Sequence, residues 1–147
     1  MPTTFYANTE LVACAWLSEI FPSSMVATTL PEDNSTWAAS GFVQVASIGG
    51  SSDGDVPMIH PVINVDCWAT KPNSNRPPWR VANNNAEMIR HAVYAMRPHK
   101  VTLPTGYPQA QLYSGDVVSE PRRVPDISSY ARFNMMVSLF WAPAVWS

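Results

Sequence analysis

The sequence predicts an α+β domain: a mostly antiparallel sheet of about four longer strands, with two helices packed on one face. Three observations predict it. Two stretches space their apolar residues at helical intervals, and four runs read as strands with alternating side chains. Most of the prolines fall between these segments, where they punctuate connections. The order along the chain is α-(β)-β-β-α-β-β. At 147 residues the chain is long enough for one domain with a real core, spanning residues 1–147, and too short for two.

The first helix is predicted over residues 8–21, NTELVACAWLSEIF. Asn8 or Thr9 caps it, Glu10 suits its first turn, and Pro22 stops it. Leu11, Cys14, Leu17 and Phe21 form its apolar stripe, widened by Trp16 and Ile20. MVATTL, residues 25–30, is a short β-rich run, and PEDNSTWAASG then reads as a polar loop. Residues 42–48 and 58–69 form an antiparallel hairpin, with a mobile tip over 49–57 that contains GGSSDGD. The Gly pair there is no phosphate loop, because neither GK[ST] nor a helix follows it. Residues 70–82 carry three prolines and read as a surface connection. The second helix follows over 84–97, with Ile89, Ala92, Val93 and Met96 on its stripe and Pro98 at its end. Residues 111–119 and 131–141 complete the sheet, joined by the proline-punctuated EPRRVPD.

Composition bounds the function. Hydrophobic residues make up 46% of the chain and charged ones 14%, which is not the composition of a disordered chain. The net charge is −2, and the longest basic block is Arg122-Arg123. That argues against tight, phosphate-driven binding of nucleic acid and leaves passive contact with DNA open. The cysteines Cys14 and Cys67 are too few for a disulfide framework and form no CxxC. MPTTFYANTE lacks the features of a signal peptide, and no apolar stretch is long enough for a membrane span. These features predict a protein made in the cytoplasm with free thiols.

The strand IHPVINVDCWA holds a His, an Asp and a Cys within eight residues. Alternation separates them. Ile59, Pro61, Ile63, Val65, Cys67 and Ala69 point to the apolar side, and His60, Val62, Asn64, Asp66 and Trp68 to the other. Cys67 is thus a core residue, and His60 is on the wrong face to activate it. His60 and Asp66 are six residues apart, about 20 Å along a strand, too far to share an ion. Glu87 and His91, at i and i+4 of the second helix, read as part of a solvated face. No catalytic, metal or cofactor-binding residue is assigned. The last strand repeats the pattern: Ala131, Phe133, Met135, Val137, Leu139 and Trp141 on an apolar face, Arg132, Asn134, Met136, Ser138 and Phe140 on a mixed one. A sheet with one apolar and one mixed face can cover its core and still dock partners.

Several motifs carry a family resemblance. Ala15-Trp16-Leu17 lies in the first helix, Thr29-Leu30-Pro31 follows, and FVQVASIGG leads to HPVINVDCWA. The last contains Pro61, Ile63, Val65, Asp66, Trp68 and Ala69 in the form P-x-[IV]-x-[IV]-[DE]-x-[WY]-[AG]. This arrangement, over residues 8–97, resembles the tail terminator and tail-completion proteins of long-tailed, siphovirus-type bacteriophages. The resemblance implies a virion structural protein without catalysis. It implies a homo-oligomeric ring, commonly a hexamer, that caps the tail tube, ends its polymerisation and joins tail to capsid. The implied partners are further copies of the chain, the major tail tube protein, head–tail connector or neck proteins, and DNA that passes through the lumen without specific binding; no membrane is involved. A head-completion or neck adaptor is the alternative within the virion; a small hydrolase and a monomeric binding module are the rivals outside it. Aromatic residues in poorly buried segments suit interfaces, so Trp79 in the connection and Trp146 at the C-terminus join Asn64, Asp66, Trp68, Asn134 and Met136 as expected contacts.

Overall fold

A computed structural model describes residues 7–52, 58–71, 76–125 and 129–144. Helix α1 covers Thr9–Leu17. The Asn8 side chain caps it by accepting a hydrogen bond from the Leu11 amide at 2.8 Å. The helix ends four residues before Phe21, in a turn where the Ser18 hydroxyl donates to the Cys14 carbonyl at 2.8 Å. Its buried side is Val12, Ala13, Trp16 and Leu17, with Leu11 and Cys14 half-buried. The short run after Pro22 forms a 3-10 turn and strand β1, Val26–Ala27. Strand β2 is Phe42–Ser52 and β3 is Ile59–Ala69. Helix α2 covers Trp79–Tyr94, β4 is His99–Val101, β5 is Gln109–Arg123 and β6 is Ala131–Ala144. Among the described residues no helix is long and apolar enough to cross a membrane.

The sheet corrects the predicted architecture. It is not an open layer of about four longer antiparallel strands beneath the two helices. It has six strands in the order β1-β2-β3-β6-β5-β4, pairs β1 with β2 in parallel, and curls into a half-barrel. The two extra strands are two and three residues long, too short to show a periodic pattern. The curl has a local cause in register shifts at Ser47/Gly50 in β2 and at Leu112/Ser114, Val117/Ser119 and Ser119/Arg122 in β5. Each shift sets extra residues against the partner strand, which bends the strand and increases its twist.

Two segment boundaries also move. Residues 49–52 of the expected mobile tip belong to β2, and residues 53–57 lie outside the described residues. The expected surface connection over 70–82 gives its last residues to α2, which starts at Trp79 directly after Pro77-Pro78. Proline suits the start of a helix because the amide it lacks would have no helical partner there.

One cluster forms the main core. It joins Val12, Trp16 and Leu17 of α1, Ala86, Ile89 and Val93 of α2, and the apolar sides of β2, β3, β5 and β6. Val43, Val45, Ile63, Val65, Cys67, Met135, Val137 and Leu139 are fully buried within it. The strand alternation read from the sequence therefore gives the sidedness of β3 and β6. At the far end of α2, Ala69, Ala82 and Ala131 pack in a smaller cluster with Trp79, Val81 and Phe133. Small residues let the helix approach the sheet closely there. Gly41 sits at the same junction with φ +84°, and an added Cβ would come within 2.7 Å of the Asn85 amide nitrogen. That amide donates to the Ser40 carbonyl at 3.0 Å and ties α2 to the start of β2.

Candidate functional site

The sheet face opposite the core carries the densest polar network among the described residues. Register builds it. Asp66 lies opposite Gln44 on one side and Asn134 on the other, Asn64 opposite Met136, and Trp68 opposite Arg132. Directly paired residues project to the same face, so these side chains meet.

Asp66 is the hub. Its Oδ1 accepts from Arg132 Nε and Asn134 Nδ2, each at 2.9 Å, and its Oδ2 accepts from Asn64 Nδ2 at 3.3 Å. Asn134 also donates to Asn64 Oδ1 at 2.8 Å. Asp66 and Asn134 are buried although no helix supplies the cover, because neighbouring strands wall them in. The Arg132 guanidinium lies 5.1 Å from the Trp68 ring centre, and Trp68 Nε1 donates to Gln44 Oε1 at 3.0 Å. The carboxylate and its donors hold one another, so the patch is rigid before anything docks.

One end of this face is roofed. The loop after β1 brings Trp37 down against Phe42 and Tyr130, with ring centres 6.0 and 5.7 Å away, and Tyr130 also edges Trp68 at 6.3 Å. The Tyr130 hydroxyl accepts from Asn34 at 3.0 Å. Asp33 sets the turn that positions this loop by accepting from the Ser35 amide and hydroxyl, and those bonds hold its carboxyl below the usual range. Beyond the roof, Val62, Asn64, Met136, Ser138 and Phe140 are half-exposed. His60 closes the row, edge-on to Phe140 at 4.5 Å.

Of the residues singled out in the sequence, Asn64, Asp66, Trp68, Asn134 and Met136 share this face. Trp79 does not. It begins α2 on the opposite side, 6.1 Å from Phe133 and under the Arg123 guanidinium at 5.2 Å. Trp146 lies outside the described residues. Sequence reasoning missed Gln44, Trp37 and Tyr130 as members. Gln44 had a legible signal, since it alternates with the buried Val43 and Val45; Trp37 and Tyr130 sit in loops, where no period predicts a face.

Burial pushes the Cys67 thiol far up, and the neighbouring Asp66 carboxylate adds to the effect, so it stays protonated and unreactive. Cys14, half-buried, is also raised, first by burial and then by Glu10. Glu87 and His91 are both exposed and rim a shallow apolar groove with Ile20, Met88 and Ala92. No three His, Cys, Asp or Glu among the described residues come together as a metal site would need. Elsewhere, His99 ties β4 to the turn after α1. Its Nδ1 lies 2.7 Å from the Arg97 carbonyl oxygen and its Nε2 2.9 Å from Glu19 Oε1. The Arg97 carbonyl, followed by the Glu19 carboxylate, raises the imidazole above its ordinary value. No family model matches the chain, and no curated protein matches it.

Proposed function

We propose that the protein is a structural subunit of a siphovirus-type virion, a tail terminator that assembles with copies of itself into a ring capping the tail tube. One observation carries the reading: a prebuilt patch of Asn64, Asp66, Trp68, Asn134 and Met136 on a sheet face that no helix covers. A rigid polar centre bordered by half-exposed apolar side chains is the composition of a docking surface whose side chains lose little freedom on binding. Ring neighbours or the tube end would cover Val62, Met136 and Phe140, while the Asp66 network fixes the register.

The long edge of the sheet supports the same role. Among the described residues no strand pairs with the outer side of β5 beyond Leu112, because β4 pairs only with Ala110, Gln111 and Leu112. An open edge invites a neighbour, but the two register shifts after Val117 and Pro121 between them limit open-ended pairing. A subunit that must join a closed ring and not a fibre needs both properties.

The test uses the phage that encodes the chain. Purified virions should contain the protein in ring stoichiometry at the head–tail junction, and a phage lacking it should make tails of uncontrolled length. Met136→Lys should give a folded protein that fails to complete tails. Normal-length tails that fail to join heads would instead identify the neck adaptor. Absence of the protein from virions would sink both.

A further inference from the structure

A groove of about 520 Å³ runs between α1 and the segment after β4. Leu11, Cys14, Ser18 and Glu19 line it on the helix side, and residues 102–104 line it on the other. The Cys14 thiol is half-buried there, and Ser18 and Glu19 belong to the exposed turn that follows the helix. Glu19 has a second role, as the partner of His99 at the start of β4. The His99 Nε2 lies 2.9 and 3.2 Å from the two Glu19 carboxylate oxygens, and its Nδ1 lies 2.7 Å from the Arg97 carbonyl oxygen. One wall of the groove is therefore tied to β4 through a single imidazole.

Both ring nitrogens face groups that can only accept. A carbonyl oxygen and a carboxylate have no hydrogen to give, so each nitrogen must supply one, and only the imidazolium carries two N–H groups. A neutral ring turns a lone pair on one of the two acceptors, whichever tautomer it takes. The charges around His99 leave this contact as the deciding one. Glu19 faces it from the turn after α1. Arg97 turns its guanidinium to the Ala95 and Met96 carbonyls, at 3.4 and 3.1 Å. Lys100 follows on β4 and alternates to the other face. Residues 110–112 of β5, which pair with β4, carry no titratable side chain. On α2, Tyr94 bonds Arg90, and His91 rims the separate groove beside Ile20. Helix α1 adds to the demand for a cation. It has no basic residue in its last turn, and Glu19 follows directly, a charge that the helix dipole disfavours at that end.

We propose that His99 and Glu19 form a proton-controlled clasp on the Cys14 groove, closed while both ring nitrogens carry protons and open once one proton leaves. Opening frees the turn at residues 18–20 from β4. The rest of the core holds, because Leu17 and Val101, on either side of the tie, are buried in it. The raised imidazole sets the direction: the clasp is closed in mild acid and opens as pH rises through the elevated value. The half-buried Cys14 thiol then becomes accessible, while the fully buried Cys67 stays covered. The inference does not rest on a place in the virion, because the whole device lies within one chain.

The experiment measures alkylation of the native full chain by iodoacetamide, with the Cys14 and Cys67 peptides followed separately by mass spectrometry. Parent, Glu19→Ala and His99→Gln are compared from pH 6 to pH 8. The ratio of variant to parent rate cancels the titration of the thiol itself. For Cys14 that ratio should be at least about threefold at pH 6, where the parent is clasped, and should approach one at pH 8. The two variants should agree, because either one removes the same tie. Cys67 should stay unmodified throughout. A ratio near one at pH 6 overturns the proposal. A raised ratio that does not change with pH also overturns it, since removal of a side chain from the wall would then be the whole effect. Alkylation of Cys67 in step with Cys14 overturns it too, because the exposure would belong to the entire fold. A measurement on the parent alone gives an independent check: nitrogen-15 spectra should show both His99 ring nitrogens protonated at pH 6, and a single ring proton there refutes the clasp.

Discussion

Cys67 and Asp66 are adjacent in β3 and project to opposite faces, so their replacement reports on two different kinds of packing. Cys67 is fully buried in the main core. Cys67→Ala should cost about 1 kcal/mol through a small cavity, measured by chemical denaturation, with assembly intact in the folded fraction. Its thiol should resist alkylation until the protein unfolds. Asp66→Ala removes the acceptor for Arg132, Asn134 and Asn64 and leaves one N–H of the buried Asn134 amide without a partner. The expected cost is about 2–3 kcal/mol, and a loss below that of Cys67→Ala would mean that solvent already serves the network. The alternation of apolar and mixed residues made both orientations legible in the sequence. It did not reveal that Asn64, Asp66 and Asn134 bond to one another. That depends on the β3–β6 register, set by strands 66 residues apart.

At the scale of elements, the bulge in β2 and the tie between β4 and the turn after α1 give separate tests. Gly49 and Gly50 have φ +115° and +125°. A Cβ at Gly49 meets nothing within 4 Å, while one at Gly50 collides with the backbone of His60 and Pro61. Gly49→Ala should therefore cost about 1–2 kcal/mol of backbone strain, and Gly50→Ala distinctly more. Equal costs would mean that the hairpin adapts to the bulky variant. The His99–Glu19 pair is pH-dependent, and its sign follows from the raised imidazole. The stabilisation is fully present below the ordinary histidine value of about 6.5 and is lost as pH rises through the elevated one in the folded state. The difference in Tm between the parent and Glu19→Gln should be largest in mild acid and shrink toward pH 8; a difference that grows with pH would contradict the tie. Strand existence was legible for the four long runs, where period and length agree. It was not for β1 and β4, which hold two and three residues and exist only because a long neighbour offers an edge. The start of α2 was not legible, because Pro77-Pro78 suits a connection as well as the position that begins a helix.

The whole molecule combines a near-neutral net charge with a strongly uneven distribution of it. Composition and pI argue against tight binding of nucleic acid, but they describe only an average. They cannot describe placement. Trp79 and Arg123 are 44 positions apart in the chain and meet only through the packing of Trp79 on Phe133 and of Arg123 over Trp79.

The tryptophans make these states visible in light. Trp16, Trp37 and Trp141 are buried to within 3% exposure, whereas Trp68 and Trp79 are half-buried and each lies under an arginine. The buried three should emit in the blue and remain dark to added quenchers until the chain unfolds. Trp79 stands among cations that attract iodide and repel caesium, so iodide should quench it selectively. A partner seated over Arg123 would shield it. The intrinsic emission of the unlabelled protein then becomes a local meter of what covers the start of α2.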